Sequence, residues 1–249
     1  MKLLTFSLGI VVLISAPVFA SPYIGTGEYF VEPGSWNVGD PGSTYQVWDN
    51  FAAATGNTPD AGSNSNPLIA TPSTLSVFAP GFKTGSGNFY SFSGDYGVSS
   101  DVFNHNSGGT DGTHVIVQTT ATTNNSVSVI SGALEIVDLG GAALPGGANS
   151  SALVDAAVVA AGPVISTFGT VNLQVLLWEF FLPGYTGDFR VQWTERDDSS
   201  LDQLRVDSFI AASALSPTSF VFQSIPEPSG LALALLAVTG FVTKRRRNG

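Results

Sequence analysis

The chain has 249 residues, 43% hydrophobic and only 11% charged, with nineteen acids against nine bases and a formal net charge of −10. An average protein carries about 25% charged residues, and many apolar residues with few charges exclude an intrinsically disordered chain. No cysteine is present, which excludes a disulfide framework, a Cys-type zinc site and a thiol nucleophile; the acidic balance argues against nucleic acid, whose phosphates need Lys and Arg.

The charge is unevenly distributed. Lys2 lies at one end and Lys244, Arg245, Arg246 and Arg247 at the other, leaving Lys83, Arg190, Arg196 and Arg205 between them. Residues 21–225 therefore set eighteen acids against four bases, a net −14. The first twenty residues read as a secretory signal peptide. Lys2 is the positive start, Leu3 to Ile14 the apolar run, Pro17 the break, and Val18-Phe19-Ala20 a small-residue box that places cleavage between Ala20 and Ser21. The competing reading is a buried N-terminal helix or an uncleaved anchor. Export is the expected consequence, through the general export machinery.

The next elements in chain order are strands. Runs of β-branched and aromatic residues alternate with Gly, Pro, Asn, Ser and Thr punctuation, the pattern of strands and turns. Weak candidates occur at 44–48, 74–79, 87–93 and 218–223. Stronger ones are 113–120 and 126–138. Residues 56–67 and 140–149 are Gly/Pro/Asn-rich loops. The segment 150–161 fits a helix, with Ser150 or Ser151 as N-cap and Gly162-Pro163 as stop, although its Val and Ala content also suits a strand. Residues 171–182 are continuously apolar, which predicts a strand buried on both faces and ended by Pro183-Gly184. In 187–196, Phe189, Val191 and Trp193 alternate with polar residues; in 203–212, Leu204, Val206 and Ile210 share one face and Arg205 and Asp207 the other. The short loop Asp197-Asp198-Ser199-Ser200 predicts a hairpin between these two. The fold class expected for residues 21–224 is all-β, a β-sandwich of jelly-roll type.

Residues 225–249 close the chain in three parts. Pro226-Glu227-Pro228 comes first, then an apolar run from Gly230 to Val242, then Lys244, Arg245, Arg246 and Arg247. As a helix the apolar run would span roughly 20 Å, short for a bilayer core. The basic cluster would be held on the cytoplasmic side. This tail resembles the PEP-CTERM sorting signal of Gram-negative bacteria, over about 25 residues. The resemblance implies an exosortase partner, transient residence of the short helix in the inner membrane, and delivery to the cell surface or an exopolysaccharide matrix. An ordinary single-span anchor is the alternative. More loosely, LDQLRVDSFI resembles the last strand of exported jelly-roll domains, which include carbohydrate-binding modules.

Candidate chemistry in the middle is sparse. His105 and His114 flank a Gly-rich turn, but no Gly-x-Ser-x-Gly elbow accompanies them. Glu179, inside Trp178-Glu179-Phe180-Phe181, is the best carboxylate for a glycosidase-type pair, with Glu195 or Asp188 as the second acid; pairing with Arg190 or Arg205 is the plain alternative. Asp197, Asp198 and Asp202 cluster as oxygen ligands for a structural Ca²⁺, and Asp95, Asp101 and Asp111 form a weaker set. Among four tryptophans, Trp178 and Trp193 read as core, whereas Trp36 and Trp48 sit beside Gly/Pro-rich turns as candidates to stack on sugar rings. The expected function is a non-catalytic, surface-sorted β-sandwich that associates with polysaccharide or mediates adhesion. A polysaccharide hydrolase or lyase using Glu179, and a structural surface-layer subunit, are the alternatives.

Overall fold

The computed structural model describes residues 29–64, 73–105, 110–124, 128–166 and 169–225. The expected signal peptide with its Ala20–Ser21 cleavage site, and the expected tail from Pro226, lie outside the described residues. The strands are β1 Ser43–Trp48, β2 Ala61–Asn64, β3 Thr74–Val77, β4 Phe82–Lys83, β5 Phe89–Tyr90, β6 Tyr96–Val102, β7 Gly112–Thr123, β8 Glu135–Asp138, β9 Val154–Ser166, β10 Gly169–Leu182, β11 Phe189–Glu195, β12 Ser199–Ala211 and β13 Gln223–Ser224. The larger sheet runs β13-β9-β10-β7-β12-β1-β2, with β5 on β12 and β4 on β5; the smaller runs β3-β6-β11-β8. The described residues are therefore all-β and sandwich-like. Among the described residues no helix is long and apolar enough to cross a membrane.

Period-two alternation builds the core. Phe189, Val191 and Trp193 of β11 face Leu176, Trp178, Phe180 and Leu182 of β10 and Leu204 and Val206 of β12 across the gap between sheets. All twelve residues of β7 are buried, because this strand sits mid-sheet and both faces are covered. The second cover comes from two short segments. Phe30 and Trp36 near the start of the described chain, and Leu215, Phe220 and Ile225 near its end, pack with Ile116, Leu173, Val175 and Leu177 on the outer face of the larger sheet. They form a third layer.

Three expectations change. The turn after β11 does not close a hairpin: β11 pairs with β6 and β8, whereas β12 pairs with β7, β1 and β5. The turn amides bond elsewhere, Arg196 N–H to Val129, Asp197 N–H to Asp95 and Asp198 N–H to Ser91. The link crosses from one sheet to the other, and its two flanking strands face each other instead of pairing edge to edge. Second, 150–161 is not helical; a short 3-10 turn, Asn149–Ser151, leads into β9, so β-branched content outweighed the capping signals. Third, LDQLRVDSFI is not the final strand but lies inside the larger sheet, and its second face is covered: Arg205 and Asp207 are buried.

Candidate functional site

Glu179 lies on the outward face of β10, flanked by inward Trp178 and Phe180. His114, on the adjacent strand β7, is its diagonal neighbour, two residues from the position directly opposite. His114 Nε2 and Glu179 Oε1 are 2.8 Å apart, and both side chains have zero exposure. Thr218 supplies the rest: its N–H donates to Oε2 at 2.8 Å and its hydroxyl to Oε1 at 2.9 Å. Ser35 donates to Ser216 O at 2.9 Å, tying the entering segment to the leaving one. The Trp36 ring lies 5.1 Å from His114 and stacks on Phe209 at 5.6 Å. Trp36 Nε1 and His114 Nδ1 are buried without hydrogen-bond partners among the described residues. Both oxygens of Glu179 are thus engaged by protein groups, and the side chain has zero exposure. The arrangement is a clasp that fixes the two terminal segments on the sheet.

The paired-carboxylate expectation does not hold geometrically. Glu195 continues the inward face of β11 and lies in the inter-sheet core, whereas Glu179 lies on the opposite side of the larger sheet. Glu195 accepts from Trp193 Nε1 at 2.8 Å and from Ser199; burial pushes its carboxyl up to about 8. Asp188 accepts the Asn104 N–H at 2.9 Å, and burial raises its carboxyl as well. Neither Arg190 nor Arg205 meets Glu179: Arg190 pairs with Asp101 at 2.6 Å, and Arg205 with Asp207 and Glu32.

The aspartates expected to hold Ca²⁺ do not converge. Asp202 Oδ1 accepts from Asn88 and Ser200, and burial pushes its carboxyl up to about 7. Asp198 accepts from Tyr90 OH at 3.1 Å, and Asp197 stays exposed at the turn. Among the described residues no group of three or more His, Cys, Asp or Glu could hold a metal ion. In the weaker set, Asp95 immediately precedes β6 and Asp101 lies near its other end, roughly 20 Å away along an extended strand.

Both candidate surface tryptophans are buried, Trp48 completely and Trp36 at 5% exposure. Trp48 Nε1 donates to Asn57 O at 2.9 Å inside the main core. The rings nearest solvent lie elsewhere, Phe82 and Phe92 exposed and Tyr90 half-buried. Phe82 and Phe92 stack at 5.5 Å, and Tyr90 meets both edge-on, at 6.2 and 4.7 Å. This trio carried a weak sequence signal: Tyr90 and Phe92 alternate within 87–93, the period that places both on one face.

Comparison with known proteins finds no matching family model, no matching curated protein and no matching solved structure.

Proposed function

We propose that this chain is an exported, exosortase-sorted component of a bacterial cell surface or exopolysaccharide matrix, whose β-sandwich is a non-catalytic module associating with polysaccharide. The observation that carries the reading is the three-part tail, Pro226-Glu227-Pro228, a short apolar run, then Lys244, Arg245, Arg246 and Arg247, behind a signal-like start. Its position relative to the domain supports it. Ile225, the residue before the motif, donates its N–H to Ala161 O at 2.9 Å and is buried, so the motif follows directly on a residue held against β9. The burial of Glu179 weighs against a hydrolase built on that residue. Deleting 226–249 tests the reading: surface fractionation should lose the protein to the medium or periplasm, and unchanged surface location would overturn it.

The surface-layer alternative draws on a different observation. Ile165 on β9, with Val221 and Phe222 before β13, exposes apolar side chains at one edge of the larger sheet, by 65, 84 and 54%. An exposed apolar edge favours strand addition between copies. Sedimentation of the purified chain distinguishes this reading, because concentration-dependent polymers would support it.

A further inference from the structure

We propose that Phe82, Tyr90 and Phe92, with Asn88, Asp198 and Ser200 at their margin, form a binding site for a neutral polysaccharide. The proposal deepens the polysaccharide-associated reading above and rests on it.

The site is built by register. Phe82 pairs with Tyr90, and Tyr90 with Ser200, so these three side chains share one face across β4, β5 and β12. Asn88 and Phe92, two residues either side of Tyr90, extend the same face along the chain. Lys83 and Phe89 pair with each other on the opposite face. Phe92 remains 76% exposed although it stacks on Phe82, which leaves an aromatic surface turned to solvent. The Asp198 N–H bonds to Ser91 O, and its carboxylate to Tyr90 OH. This anchors an acceptor beside the rings.

Three features select the ligand. Flat, exposed aromatic rings suit a partner with its own apolar face and polar edges, which describes a pyranose. The polar groups at the margin already donate within the protein, Asn88 and Ser200 to Asp202 and the Tyr90 phenol to Asp198, and their oxygen lone pairs are the acceptors for sugar hydroxyls. Charge then narrows the class. Asp197 and Asp198 lie at the margin and residues 21–225 carry a net −14, which repels uronate or sulfate chains. Three rings are also too few for a stable protein interface, which takes about 20–30 residues a side.

Affinity electrophoresis tests the proposal. The full chain, purified in mild detergent, is run through native gels cast with galactomannan, with mixed-linkage β-glucan and with alginate. At least one neutral polymer should retard it, and alginate should not. Phe92→Ala and Tyr90→Ala should each weaken retardation about tenfold, a loss of about 1.4 kcal/mol; Val221→Ser, at the far edge, should leave it unchanged. Retardation that survives both ring substitutions would overturn this site while leaving the polysaccharide reading intact. A chain that no polymer retards would overturn that reading and the site together. Retardation by alginate alone would overturn the neutral class. A Phe92→Ala effect confined to oligomeric state in sedimentation would assign the rings to self-association and overturn the proposal.

Discussion

Thr218 donates both its backbone N–H and its hydroxyl to the carboxylate of Glu179, 39 residues earlier, at 2.8 and 2.9 Å. A carboxylate at zero exposure holding two donors from one residue is a structural fastener. Removing a partner from such a buried set leaves the others unpaired, and that penalty exceeds the net value of the bonds. Thr218→Val should cost about 1–2 kcal/mol. Glu179→Ala, which strands His114 and two Thr218 donors, should cost about 3 kcal/mol or more. Urea unfolding at neutral pH measures both. A Glu179→Ala chain of unchanged stability would refute the fastener.

Glu195 sets a pH dependence of known sign. Burial raises its carboxyl from 4.5 to about 8, so the fold favours the protonated form. The resulting stabilisation is complete below 4.5 and is lost as pH rises towards about 8. Asp202, raised to about 7, and Asp207, raised to about 6, act in the same direction over narrower windows. Glu32 acts oppositely: the Arg205 bond lowers its carboxyl, so its contribution exists above 4.5 and fades on acidification. Its carboxylate is largely exposed, and screening keeps that part small. Thermal unfolding should show higher stability near pH 5 than near pH 8, and Glu195→Gln should flatten much of the slope. An identical pH profile in the variant would contradict the assignment.

Much of the β architecture is legible in the sequence, and the reason is periodicity. Phe189, Val191 and Trp193 declare a half-buried strand, and 171–182 a buried one, because side-chain alternation is a local property. Pairing is not local. Phe189 and Leu204 each show an apolar face whether their strands are neighbours in one sheet or opposed across a core, and here they are opposed. The clasp was illegible for a similar reason. Glu179 looked like a desolvated acid because its partners, His114 and Thr218, come from strand register and from a distant segment with no pattern of its own. Trp36 and Trp48 misled because turn-rich surroundings resemble a surface, yet those turns fold back over the core. The exposed trio was hidden by the shortness of β4 and β5, two residues each.

Arg205 separates a buried charge from an exposed one within a single cluster. It donates to both oxygens of Asp207, at 2.8 and 3.0 Å, and to both of Glu32, at 2.7 Å each, with its guanidinium 5.3 Å from the Tyr45 ring. Asp207 is fully buried, whereas the Glu32 side chain is 70% exposed. Arg205→Ala should therefore cost about 3–5 kcal/mol by leaving Asp207 uncompensated. Glu32→Gln should cost under about 1 kcal/mol. The double variant Arg205→Met, Asp207→Leu should recover most of the first loss, since an apolar pair of similar volume avoids desolvation. Denaturant midpoints of the three variants decide it; a Glu32→Gln cost equal to that of Arg205→Ala would show that the exposed pair dominates.

Gly162 governs how the end of the domain is held. A Cβ there would lie 2.3 Å from Ile225 O and 2.6 Å from Ile225 Cβ, so even alanine must push Ile225 away from β9. Ile225 would lose its hydrogen bond to Ala161 and its burial, worth up to about 2–3 kcal/mol for a fully buried isoleucine. The loss should stay local. Thr218 is fastened separately to Glu179, and the inter-sheet core does not involve Gly162. In Gly162→Val, hydrogen exchange should accelerate across 219–225 and stay unchanged across 171–182. Unaltered exchange at Ile225 would mean the segment is not held at this contact. If the sorting motif is handled by a membrane enzyme, the same substitution frees the chain just ahead of Pro226, and processing of the tail should become faster in the variant than in the parent chain.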